Sequence, residues 1–196
     1  MQVVRRTGLA GVVAGLWLLS ALAVAPPADA QTYAESVGQA ALEMVDYPYE
    51  TLGWDISFLP GRTGFLGLAI GPKRRIEIYV RSTHSGTDVA HTLAHELGHA
   101  VDLTYGSGYR RTEYLRLRGF SPEARWFGCD SCTDYATPAG DFAEVFEYSL
   151  LGGGDFRSQL ASAPDSAEME RMAHLFVAPY QPSVRVFWRQ RWRGNG

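Results

Sequence analysis

Cysteine is scarce, positive charge does not dominate, and no repeat, low-complexity block or long linker interrupts the 196-residue chain. The lack of repeats excludes a solenoid or propeller, and the lack of linkers points to one compact unit. Two cysteines, Cys129 and Cys132, are too few for a disulfide-dense scaffold or a four-cysteine zinc site. Their C-D-S-C spacing reads as a small local disulfide, with half of a metal site or a redox-active pair as the alternatives. Long apolar runs are limited to residues 9–24, preceded by Arg5 and Arg6 and followed by Pro26-Pro27 and Ala28-Asp29-Ala30. That order predicts a signal peptide, residues 1–30, cleaved after Ala30. The run is short for a bilayer span of about 20 apolar residues, so the expectation is a secreted, extracellular protein without stable membrane insertion. The arginine pair matches a twin-arginine signal poorly, which leaves the export route open.

Residues 31–196 then form one domain of 166 residues, long enough for a single substantial core. Without Arg5, Arg6 and Asp29 the 18 basic and 21 acidic side chains fall to 16 and 20, a net charge of −4. This argues against nucleic acid or anionic membrane as a partner. Locally, Arg185, Arg189, Arg191 and Arg193 crowd the C-terminus among Phe187, Trp188 and Trp192. The reading is an amphipathic final segment that packs its aromatics and leaves its arginines in water, with a surface-binding tail as the alternative.

Apolar residues at Val37, Ala40, Ala41, Met44 and Val45 predict an amphipathic helix over residues 33–45, ended by Pro48. Residues 54–59, 65–70 and 75–81 read as short strands separated by Pro60-Gly61 and Gly71-Pro72 turns. In the last strand Ile76, Ile78 and Val80 alternate with Arg75, Glu77, Tyr79 and Arg81, as expected with one wet face. Thr87 or Asp88 is placed to cap a helix running to about Leu103. Residues 105–138 read as loops with short helical pieces. A second long helix starts near Ala139 or Gly140 and stops at Gly152, and residues 166–177 form another. The fold class is α+β: a small antiparallel or mixed sheet, then an active-site helix and a helical C-terminal part.

The chemistry concentrates in His95-Glu96-Leu97-Gly98-His99. Two histidines four residues apart on a helix share a face, where both imidazoles can reach one metal ion at about 2.0–2.1 Å. Glu96, beside that face, is placed to take a proton from a water on the ion and pass it to a leaving amine. Zinc, one per chain, suits such a nitrogen and oxygen set with an open position. His91 shares the stripe but lies a turn too far for an ion between His95 and His99, so a supporting or surface role is expected. Asp102 reads equally as a helix-end acid or as a partner to a ligand histidine. A third ligand is needed, and Glu144, on an otherwise apolar helix face, is a carboxylate that burial tolerates only if paired or metal-bound. Asp141, one turn earlier, is the competing choice, with N-terminal capping as its plainer explanation.

HELGHAVD at residues 95–102, followed by DYATPAGDFAEVF at residues 134–146, resembles the gluzincin-type peptidases, especially the catalytic domain of anthrax lethal factor and the secreted Pro-Pro endopeptidases. The likeness spans residues 92–103 and 134–150, about a sixth of the mature chain. It implies a zincin-like fold, a zinc endopeptidase acting on protein or peptide, a glutamate of the second helix as third ligand, and a tyrosine, matched by Tyr135, that assists the transition state. In those relatives the ligand glutamate stands one turn before a second acid, and Gly140 holds that position here. The function expected is a secreted zinc endopeptidase with His95, His99 and Glu144 on the metal and Glu96 and Tyr135 catalytic. The alternative is a catalytically impaired domain that binds peptides or surfaces. Oligomeric state is not legible.

Overall fold

The apolar faces of the 75–81 strand and the 87–103 helix must be hidden from water, and the chain hides them against each other and two further helices. The computed structural model describes residues 27–128, 132–152 and 154–179. In chain order these form α1 (Ala28–Met44), β1 (Asp55–Pro60), β2 (Gly67–Ile70), β3 (Arg75–Val80), α2 (Gly86–Tyr105), α3 (Gly108–Leu117), α4 (Pro138–Leu151) and α5 (Ser166–Met172). Short 3-10 turns lie at Tyr49–Leu52, Gly71–Lys73, Asp134–Ala136 and Ala173–Phe176. The class is α+β, as expected. Residues 1–26 of the expected signal, Cys129, and the arginine-rich tail from residue 180 lie outside the described residues. The helix α1 begins at Ala28 and so spans the bond after Ala30 where cleavage is expected. Cys132 is disulfide-bonded. Among the described residues no helix is long and apolar enough to cross a membrane.

The sheet is mixed, in the order β1-β3-β2. The central β3 runs parallel to β1, with Phe58 opposite Ile78, and antiparallel to β2, with Leu68 opposite Glu77. A wet face on β3 is not what forms. Ile76, Ile78 and Val80 are buried toward the helices, but Glu77 and Tyr79 on the other face are buried too. Tyr79 Oη donates to Glu77 Oε2 at 2.6 Å, Arg75 pairs with Glu77, and Arg62 from the β1–β2 connection donates to Tyr79 Oη at 3.2 Å. Arg62 also stacks on Phe65, 4.5 Å from its ring centre. The connection folds over this face, and the bonds that Tyr79 and Glu77 make with each other, with Arg62 and with Arg75 are what let these two side chains be buried, while Arg75 Nε stays buried without a hydrogen bond.

The helix α2 begins earlier than expected, because Ser85 rather than Thr87 or Asp88 is its cap. The Ser85 hydroxyl accepts from Asp88 N while the Asp88 carboxylate accepts from Ser85 N at 2.8 Å, a reciprocal box that fixes the first turn. The helix α4 is capped by Thr137, whose hydroxyl accepts from Gly140 N at 2.9 Å, and ends at Gly152 in the left-handed region with φ 74°. The helix α3, ten residues long and capped by Ser107, is longer than the short helical pieces expected within residues 105–138.

One side of α2 packs on β2 and β3 and another on α4. The α2–α4 crossing is close because Gly98 has no side chain: a Cβ there would sit 2.7 Å from Ala143 Cα. The histidines at 95 and 99 therefore stand beside both the sheet edge and the acidic residues of α4.

Candidate metal centre

His95 and His99 project from one face of α2, and their ring centres are 5.0 Å apart. Their Nε2 atoms converge on one carboxylate oxygen, Asp134 Oδ2, at 2.8 Å from His95 and 3.1 Å from His99. These three donor groups lie close enough to bind one ion. A mutual set of two imidazole nitrogens and one carboxylate oxygen, with the cleft as a free side, fits a tetrahedral cation that keeps an open position.

The third member of this group is thus Asp134, not Glu144 or Asp141. Glu144 is buried on the opposite side of the His95 ring. Its Oε2 lies 3.0 Å from His95 Nδ1, and its Oε1 accepts from Arg157 N at 2.7 Å and Arg157 Nε at 3.2 Å. It thereby fixes the His95 ring and keeps Nε2 turned toward Asp134, the role carboxylates take behind metal-binding imidazoles. Glu147 extends this arrangement. It pairs with Arg157 Nη2 at 2.9 Å and with His91 Nδ1 at 2.7 Å, so His91 has the supporting place expected of it. His95, Glu144 and Glu147 form a second, fully buried group of suitable donors, but Arg157 occupies both carboxylates.

Asp141 is fully buried and far from this duty: it accepts from Tyr114 Oη at 2.6 Å and from Arg118 Nε and Nη2 at 2.8 and 2.9 Å. Asp102 ties α2 to α3 through Arg111 Nε and Nη2, both at 3.0 Å, and accepts from Trp126 Nε1 at 2.8 Å. A partnership with a ligand histidine is therefore not its role.

Gly140 explains how Asp134 reaches the site. Thr137 N and Thr137 Oγ1 both donate to Asp134 O at 2.9 Å, which folds the Asp134–Ala136 turn back over the start of α4. A Cβ on Gly140 would meet Asp134 O at 2.1 Å and Asp134 Cγ at 2.9 Å. The volume that a residue-140 side chain would fill is taken by Asp134 itself.

Electrostatics follow from this crowding. Burial disfavours the charged form of His95, yet Asp134, Glu144 and Glu147 outweigh it and raise its pKa well above the ordinary value. Burial likewise opposes ionisation of Asp134, but both histidines hold its carboxyl far below the usual range. An ion bound here would take the place of the hydrogen bonds between the two Nε2 atoms and Asp134. Glu96, buried on the strand side of the pair, has its pKa raised by burial, with His99 and His95 opposing. Ala69 N–H donates to it, and Gly67 gives it room, since a Cβ there would stand 2.6 Å from Glu96 Cγ. Tyr135 lies with its ring centre 5.3 Å from that of His95, and the Arg157 guanidinium covers its face at 4.9 Å. Burial raises the Tyr135 pKa, with His95 and Arg157 opposing, so its hydroxyl keeps its proton at neutral pH.

These groups open on a cleft of about 810 Å³ between β2 and the α2 face. The β3 strand is central and paired on both sides, so it offers no free edge to a peptide. The edge beside the cleft is β2. Tyr79 N donates to Leu66 O, and alternation then turns the main-chain groups of Gly67 and Ala69 away from β3. Comparison with protein-family models, with curated proteins and with solved structures finds no match for the chain.

Proposed function

We propose that the chain is an exported zinc-dependent endopeptidase in which His95, His99 and Asp134 hold the ion, Glu96 is the general base and Tyr135 stabilises the oxyanion. The observation that carries this reading is the convergence of three donor groups on one point of an open cleft, with a buried carboxylate next to them. A zinc ion held there supplies Lewis acidity, which polarises a carbonyl and brings the pKa of water to about 7.

The protein's own groups do the rest. Peptide main chain pairs with the outward Gly67 groups and the Ala69 carbonyl of β2, the Ala69 N–H being held by Glu96, and this aligns the bond to be cut along α2. Glu96, with its affinity for protons raised by burial, accepts a proton from the attacking water and returns it to the leaving amine. The Tyr135 hydroxyl donates to the oxygen that gains charge, a contact of a kind worth about 2.7–4 kcal/mol. Glu144 and Arg157 hold His95 in one orientation throughout. Gly140 favoured an impaired, merely binding domain only while no other acid replaced the missing one. Asp134 supplies that acid and supports turnover.

The test is zinc analysis of the purified protein together with cleavage of an unstructured protein with and without chelator. Glu96→Ala is expected to keep its zinc and lose activity by about 10²–10⁴-fold. A protein that stays zinc-free at saturating metal, or a Glu96→Ala variant of normal activity, refutes the proposal.

A further inference from the structure

Resting on the peptidase reading, we infer that the substrate is an extended peptide with bulky apolar side chains on both sides of the bond cut. Eight large hydrophobic side chains stand exposed among the described residues, and four of them, Phe65, Leu66, Leu103 and Phe127, line this one cleft. Scattered single apolar residues mean little, but convergence on one groove marks a binding surface.

Leu103 and Phe127 lie toward one end, where Arg111 both pairs with Asp102 and stacks on Phe127, and Leu66 lies toward the other. Leu103 follows His99 by one helical turn and so continues the His95–His99 stripe; it also approaches the start of the 3-10 turn after β2, since a Cβ on Gly71 would lie 3.4 Å from Leu103 Cδ1. Leu66 stands at the other end, next to Gly67 and its contact with Glu96. The cleft runs beside α2 from Thr92 to Leu103, a rise of about 16 Å, which holds roughly five residues of extended chain. The metal-binding pair lies between the two apolar ends.

Charge points the same way. The acidic and basic residues lining the cleft are His95, Glu96, His99, Asp134 and Arg157. The first four form the site, and Arg157 is paired with Glu144 and Glu147. A charged substrate side chain entering the cleft walls would lose water without gaining a partner. Main-chain pairing with β2 is blind to sequence, so the walls set the preference.

The experiment has two readouts. Zinc-loaded protein is incubated with a proteome-derived peptide library and the cut sites are read by mass spectrometry. In parallel, binding of two labelled peptides, one with Leu and Phe and one with Asp and Lys around the central bond, is measured with the Glu96→Gln variant. Leu, Ile, Phe or Met is expected on both sides of the cut, with the apolar peptide bound at least about tenfold more tightly. Leu103→Asp and Leu66→Ser are both exposed changes, one at each end of the cleft; each is expected to abolish the preference on one side only while zinc content stays the same. Cutting without an apolar preference, or a preference that both variants leave intact, overturns the inference. If nothing is cut but the apolar peptide is still selectively bound, the peptidase reading fails and the apolar-peptide inference stands. Equal or absent binding of both peptides in that case overturns the inference as well.

Discussion

Replacing Asp134 and Glu144 separately by alanine should produce opposite orders of damage in metal affinity and in stability. Zinc sites built from four ligands in small peptides hold the ion by about 10–16 kcal/mol, or about 2.5–4 kcal/mol per ligand. Loss of the Asp134 carboxylate, which meets both Nε2 atoms, should therefore weaken zinc binding by about two to three decades. Loss of Glu144 removes only the group behind His95 Nδ1, for which about 10–100-fold is expected. Stability reverses the order. Glu144 is 1% exposed and holds His95 and Arg157, and breaking such a buried arrangement costs about 3–5 kcal/mol, toward the lower end here because Arg157 is partly exposed. The Asp134 side chain is 45% exposed, so its ion pairs contribute about 1 kcal/mol or less to the metal-free fold. Competition against a chromophoric zinc chelator measures the first quantity, and denaturant melts of the metal-free proteins measure the second. If Asp134→Ala binds zinc within about threefold of the parent while Glu144→Ala loses three decades, Glu144 is the ligand and the assignment is refuted.

Three further substitutions test the frame around the site. Gly98→Ala puts a Cβ 2.7 Å from Ala143 Cα and 3.1 Å from Ala143 O, and main chain on α4 cannot move aside cheaply; a loss of about 1–3 kcal/mol is expected in the denaturant midpoint. Gly140→Ala is expected to weaken zinc binding nearly as much as Asp134→Ala although every ligand remains, since its Cβ would stand 2.1 Å from Asp134 O; unchanged affinity by chelator competition contradicts this. Asp141→Ala leaves Arg118 and Tyr114 buried without their acceptor and is expected to cost about 3–5 kcal/mol, while the folded fraction keeps parental zinc affinity by the same titration.

What could be read from the sequence was local and periodic. The helix carrying His95, Glu96 and His99 announces itself through Val89, Leu93, Leu97, Ala100 and Val101, all of which are buried, and the spacing of the histidines needs nothing beyond that helix to be meaningful. Its cap was misplaced because Ser85, Thr87 and Asp88 are all suitable residues and only the reciprocal bond of Ser85 with Asp88 decides. The helix α3 was read only as one of several short helical pieces because its arginines interrupt the apolar spacing; two of them, Arg110 and Arg111, are engaged elsewhere, on the carbonyls of His174, Leu175 and Val177 and on Asp102. On β3, alternation correctly separated two faces but not wet from dry, since the cover over Glu77 and Tyr79 comes from Arg62 and Phe65 in another segment.

The third site residue illustrates the same limit more sharply. Glu144 was a sound choice by burial, because a carboxylate on an apolar face must be paired; the partners turned out to be His95 and Arg157, which sequence order does not bring together. Asp134 gave no burial signal, lying on an exposed turn, yet two neighbouring features bear on it. Tyr135 places the turn beside the site, and Gly140, a residue without a side chain where an acid was expected, leaves a volume that another carboxylate can fill. A missing ligand on a helix and a spare aspartate six residues earlier are thus two aspects of one arrangement, because the Cβ that Gly140 lacks would collide with the Asp134 main chain. The acid at residue 134 and the glycine at residue 140 have to be read as a pair, and changing either alone should disable the site.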